Sequence, residues 1–190
     1  GGNIASELVA KAPPDGYTLL LTSPTIAISP SLFAKLGYDT FRDFAPITLL
    51  ATVPNVLVVH PSVPAKSLDE LVKLAKAHPG KLNFGSGGLG SGSHLGSELF
   101  KTLNKINILH VPYKGAAIAM TAMLSGEVDM VTAPVATTIP LFNSGRIRAL
   151  AVMAPERVAT LPKVPTAAEA GMPELVVITW YGVLAPAGVK

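Results

Sequence analysis

Between Ser67 and Met153 the chain repeats one pattern: a short apolar run, a break at Gly or Pro, then a stretch with helical spacing. Ser67-Leu68-Asp69-Glu70 forms a capping box, and Leu68, Leu71, Val72 and Ala75 share one helical face that stops at Pro79-Gly80. A strand over 81–84 leads through a Gly/Ser loop at 85–93 into a helix reaching about Leu103. A strand over 106–111 leads to a helix from Ala116 that Gly126 closes in a left-handed conformation. A strand over 128–132 leads to a helix ending at Gly145, and a strand over 147–153 follows. Strands and helices that alternate with short connections require right-handed crossovers, so the spacing predicts an α/β fold with mostly parallel sheets and flanking helices.

The flanks are organised differently. Asn3 is placed to cap a short helix with Ile4, Leu8 and Val9 on its apolar face, stopped by Pro13-Pro14-Asp15-Gly16. A strand over 17–22 comes next, and Ser29-Pro30 reads as the N-cap and first residue of a helix to about Leu36. Pro54-Asn55 divides two apolar runs, 45–53 and 56–60. Near the end, Thr166 and Glu169 form a second capping box for a short helix closed by Gly171, and a strand-like run covers 175–184. Extended segments at 56–60 and 180–184 bracket the regular α/β part, as the two crossings between two lobes would. The expected lobes are residues 1–60 with 177–190, and the inserted 61–176.

Composition narrows the function. Hydrophobic residues make up 49% of the 190 and charged residues 14%, so the chain has enough apolar surface to offset the entropy of ordering. The absence of cysteine excludes disulfides and Cys-based metal centres. A net charge of +3, spread along the chain without interleaved aromatics, argues against nucleic acid. No apolar stretch is long enough and free enough of Pro, Gly and charge to span a bilayer.

The residues that carry chemistry centre on Gly85-Ser86-Gly87-Gly88-Leu89-Gly90-Ser91-Gly92-Ser93-His94, which follows a strand and opens a helix. Exposed backbone N–H groups and the positive end of a helix favour an anion there, and Ser86, Ser91 and Ser93 add hydroxyls; the alternative is a plain flexible turn. Gly85 to Gly90 also fits G-x-G-x-x-G, but the next strand ends in Pro112-Tyr113-Lys114-Gly115 rather than the acid that holds a ribose. Walker A fails because Leu82 follows Gly80-Lys81, and no Ser stands in a G-x-S-x-G elbow. His94 and Glu98 are four apart, a spacing that suits a shared metal less well than a surface contact or helix-start hydrogen bond. Asp129, beside Glu127, fits a solvated strand edge better than catalysis. Thr22-Ser23-Pro24-Thr25 and Thr132-Ala133-Pro134 also leave the carboxyl ends of strands. Together these three junctions describe a site that holds an anion without reacting with it; an enzyme acting on a carboxylate or nucleotide at the Gly/Ser loop is the alternative.

Gly1-Gly2-Asn3-Ile4 followed by residues 7–19, Val111-Pro112-Tyr113-Lys114-Gly115, residues 161–171, Trp180-Tyr181-Gly182 and Ala185-Pro186-Ala187-Gly188 together resemble the Bug-type extracytoplasmic solute receptors of tripartite tricarboxylate transporters. The resemblance runs the length of the chain, in order. It implies a two-lobed, Venus-flytrap-like periplasmic binding protein (type II) that captures a small organic carboxylate and passes it to the transporter's membrane subunits. A monomer without cofactor or metal is implied as well. So is a truncated chain: a full member would add a signal peptide, a first strand with a Gly-rich loop, and C-terminal helices.

Carried over by motif, the ligand contacts would be Thr22, Ser23 and Thr25 on one lobe and Ser86, Gly90, Ser91, Thr132 and Ala133 on the other. Many relatives carry Phe-Asp-Asn where this chain has Thr132-Ala133-Pro134. That Asp suits a ligand amine and Ala133 does not, so the resemblance implies a carboxylate without an ammonium group.

Overall fold

Val56, Leu57, Val58 and Val59 are fully buried, yet Leu57 and Val59 pack in one core while Val56 and Val58 pack in another. A strand alternates its side chains between two faces, so this run is covered on both sides. The computed structural model describes residues 2–190. Gly1, which opens the N-terminal motif, lies outside them. In chain order the elements are α1 (Asn3–Ala10), β1 (Leu20–Thr22), α2 (Thr25–Leu32), β2 (Phe44–Val59), α3 (Leu68–Ala77), β3 (Asn83–Ser86) and α4 (Gly92–Asn104). Then come β4 (Leu109–Pro112), α5 (Ala116–Leu124), β5 (Met130–Pro134), α6 (Val135–Asn143), β6 (Arg148–Val152) and β7 (Ile178–Pro186). They form two compact units, Gly1–Thr52 with Thr179–Lys190, and Val53–Ile178.

The larger unit orders its strands β6-β2-β5-β3-β4. Its first core gathers α3 (Leu68, Leu71, Val72, Ala75) with Phe84 and Phe100; its second gathers Met120 and Met123 of α5 with Val131, Ala133 and Val135. Helices therefore cover both faces of the sheet. Ser67 caps α3 as expected, accepting from Glu70 N–H at 3.2 Å, while Glu70 Oε2 accepts from Lys66 N–H at 2.7 Å, one residue before the cap.

The sheet is more mixed than "mostly parallel". β3 runs parallel to β4 and to β5, and Val152 of β6 makes a parallel bridge to Thr166, whereas β2 runs antiparallel to β5 and β6, and β1 antiparallel to β7. Crossover helices impose parallel pairing only where they join the strands; β2 and β7 enter and leave the α/β part without one.

In the smaller unit, β7 lies between β1 and β2, over a core of Val9, Leu20, Ile26, Tyr38 and Phe44. Several local expectations are corrected here. Gly2, not Asn3, caps α1, and Asn3 Oδ1 instead accepts from Ser29 Oγ (2.8 Å) and Tyr38 OH (3.0 Å). Ser6 and Val9 form the buried face, leaving Ile4 and Leu8 exposed. The second helix starts at Thr25, so Pro30 is interior rather than first. Proline has no N–H for the carbonyl four residues back; Thr40 Oγ1 fills that place on Ile26 O at 3.0 Å. The segments on either side of Pro54-Asn55 are one continuous strand. Thr166 and Glu169 make both capping-box bonds, at 3.1 and 2.7 Å, on a hydrogen-bonded turn and not on a helix.

Candidate functional site

The parallel strands β3, β4 and β5 end on one edge of the larger unit's sheet, and α4, α5 and α6 begin there. From β3 the chain runs through α4 to β4, then through α5 back across β3 to β5. That reversal of strand order makes a switch point, and the crevice outside the carboxyl ends of such strands is where open α/β sheets bind ligands. A cavity of about 270 Å³ lies there, lined by Ala116, Ala117, Met120, Val131, Thr132, Ala133 and Thr137.

The three helix starts differ. Ser91 caps α4, accepting from His94 N–H at 3.3 Å. Neither α5, which follows Gly115, nor α6, which follows Pro134, has a side-chain cap. Gly115 holds φ 142° and ψ 154°, a conformation open essentially to glycine alone, so the turn into α5 depends on it.

The Gly/Ser loop turns its hydroxyls inward. Ser91 Oγ donates to Gly88 O at 2.7 Å and lies 3.0 Å from Ser93 Oγ, which accepts from Gly87 N–H at 3.0 Å. Buried Ser86 Oγ accepts from Gly88 N–H at 3.2 Å and meets His110 Nε2 at 2.6 Å. Gly90 N–H donates to His94 Nδ1 at 3.3 Å. The loop reaches the cavity wall through its backbone: a Cβ added to Gly87 would lie 3.0 Å from Ala116 N.

Among the residues expected to bind, Thr132 and Ala133 line the cavity, while Ser86, Gly90 and Ser91 shape the adjoining loop. The Thr132 hydroxyl pairs with Ser97 Oγ of α4 at 3.1 Å. In the smaller unit Thr22, Ser23 and Thr25 cluster at the start of α2, with Ser23 Oγ donating to Thr25 Oγ1 at 3.4 Å. Ala116, Ala117, Met120, Val131 and Thr137 were not foreseen. The end of the strand before Gly115 was the available signal, because it points the same way as the other two.

His94 and Glu98 do not share a partner. His94 accepts from Gly90, and Glu98 Oε1 accepts from Lys101 Nζ at 2.7 Å. Among the described residues no three His, Cys, Asp or Glu side chains group as metal ligands. Asp129, just before β5, is half-buried rather than at a solvated edge, and exchanges two hydrogen bonds with Asn83 of β3 (2.8 and 2.9 Å).

The signature of the tripartite tricarboxylate transporter family receptor matches residues 1–190. The chain belongs to that family. This receptor-family chain is similar throughout its length to three solved structures. A Rhodopseudomonas palustris protein solved with adipate is 40% identical at a TM-score of 0.94, with 64% of that protein covered. The periplasmic binding protein BugD is 35% identical at 0.93, again with 64% covered. MatC of R. palustris, solved with malate, is 34% identical at 0.91, with 65% covered. The chain spans 56–58% of three curated relatives that are 37–42% identical to it. Among the described residues no helix is long and apolar enough to cross a membrane.

Proposed function

We propose that this chain is the solute-holding part of a periplasmic receptor that captures a small organic carboxylate and delivers it to the membrane subunits of a tripartite transporter. The observation that carries this reading is the cavity at the switch point, placed beside two helix starts without side-chain caps. Backbone N–H groups of a first turn have no partner within the helix and carry partial positive charge, which suits a carboxylate. The family's solved members with adipate and malate support the same class of ligand.

Thr132 and Ala133, with the starts of α5 and α6, form the proposed contact surface in the larger unit. Ser86, Gly90 and Ser91 hold the loop that closes one side of it. Thr22, Ser23 and Thr25 are the proposed contacts of the smaller unit. The receptor acts as a monomer and returns its ligand unchanged. An enzyme at this site has less support, because the cavity is lined by Ala, Met, Val and Thr and so presents no acid–base group.

The methyl group of Ala133, buried in the wall, supports a ligand without an ammonium group, since an ammonium there would lack a counter-charge. Calorimetry on the protein at its natural length, comparing succinate with aspartate, tests the assignment. Succinate binding with the acid recovered intact is the expected result. Preference for aspartate contradicts the role given to Ala133, and turnover of the acid contradicts the receptor.

A further inference from the structure

Of the seven residues lining the cavity, Ala116, Ala117, Met120, Val131 and Ala133 offer only apolar side chains. Both hydroxyls are already engaged. Thr132 is fully buried and pairs with Ser97 Oγ, and Thr137, on the exposed side, donates its hydrogen to Pro134 O at 2.8 Å. Thr137 is left with lone pairs at the solvent side, and the inner wall presents hydrocarbon.

We infer that the acid bound in this cavity presents a saturated hydrocarbon segment to it, so that the receptor selects aliphatic carboxylates over hydroxy acids. The inference rests on the carboxylate-receptor reading and specifies the part of the ligand between or beyond its charged ends. A hydroxyl carried into this wall gives up water without gaining a partner, while a methylene gains by leaving water. The volume of about 270 Å³ equals roughly nine waters at about 30 Å³ each, which suits an acid of on the order of ten non-hydrogen atoms. Its charged end belongs where α5 and α6 begin, and its methylenes lie along Met120, Val131 and Ala133.

Calorimetric titration of the natural-length protein with succinate, glutarate, adipate, malate and citrate tests this. Affinity is expected to rise from succinate to adipate by up to about fourfold per methylene, and malate is expected to bind on the order of tenfold more weakly than succinate. Ala133→Ser, which sets a hydroxyl in the buried wall, is expected to narrow the ratio of adipate to malate affinity several-fold. Malate or citrate binding more tightly than succinate and adipate overturns the inference while leaving a carboxylate receptor in place. An unchanged ratio in Ala133→Ser overturns it too. Failure of all five acids to bind removes the receptor reading itself.

Discussion

The imidazole of His94 lies on that of His110, ring centroids 4.3 Å apart and planes 29° from parallel, and the other neighbour of His110 is the Phe84 ring at 4.7 Å. The stack ties the Gly/Ser loop to the sheet, because His110 holds Ser86 and His94 holds Gly90.

Both rings favour the neutral form. Burial lowers the pKa of each; for His110 the neighbouring His94 lowers it further, while Glu98 opposes and Lys101 assists in both cases. A base whose folded pKa lies below its unfolded value of about 6.5 contributes stability that is complete above that pH and is lost as pH falls toward the folded value. Thermal unfolding between pH 7.5 and 5 should show the midpoint falling on acidification, with a shallower dependence in His94→Gln. A midpoint independent of pH over this range contradicts the account of the stack.

Pro30 and Thr40 are coupled through the Ile26 carbonyl. Thr40→Val should cost about 1 kcal/mol by removing that bond. In a Pro30→Ala background the restored N–H serves Ile26, so the same substitution should cost clearly less. A double-mutant cycle by denaturant unfolding measures the difference, and equal costs in both backgrounds would sink the coupling.

Gly96 of α4 lets that helix approach β5: a Cβ there would stand 2.8 Å from Thr132 Cγ2. Gly→Ala inside a helix ordinarily gains about 1 kcal/mol, but overpacking costs about 1–3 kcal/mol. Gly96→Ala is therefore expected to destabilise by up to about 2 kcal/mol in urea unfolding. A stabilised variant contradicts the close packing of α4 on Thr132.

The smaller unit leaves Ile4, Leu8, Leu19, Leu21, Ile47 and Leu49 exposed, a larger apolar display than isolated surface residues make. The 190-residue chain is expected to enhance the fluorescence of an apolar dye strongly, and a variant with Leu8, Leu21 and Leu49 changed to Gln to do so weakly. Equal dye binding by the two contradicts the exposure of these side chains.

Much of the larger unit was legible because its signals are local. Ser67 with Glu70, the glycines at 126 and 145, and the alternation of apolar runs depend on neighbours a few residues away. Errors arose where distant contacts decide. Asn3 looks like a cap until Ser29 and Tyr38 reach its amide, and Ser29-Pro30 looks like a helix start until Thr40 satisfies Ile26. The Gly/Ser loop is a different case: its composition is conspicuous, the sequence singles it out as a candidate anion site, and its part in binding stands as a proposal. Its hydroxyls bond within the loop, and the helix starts without side-chain caps are those of α5 and α6, whose first turns, Ala116-Ala117-Ile118 and Val135-Ala136-Thr137, carry no conspicuous residue. An uncapped helix start beside a cavity is a property of the assembled sheet edge.

The most direct test follows the methyl groups of the cavity by ¹³C-methyl NMR while adipate is added to the natural-length protein. Shifts at Ala116, Ala117, Met120 and Ala133, saturating together, are the predicted result. Saturable shifts confined to other methyls, with these four unmoved, would contradict the placement of the carboxylate at the starts of α5 and α6.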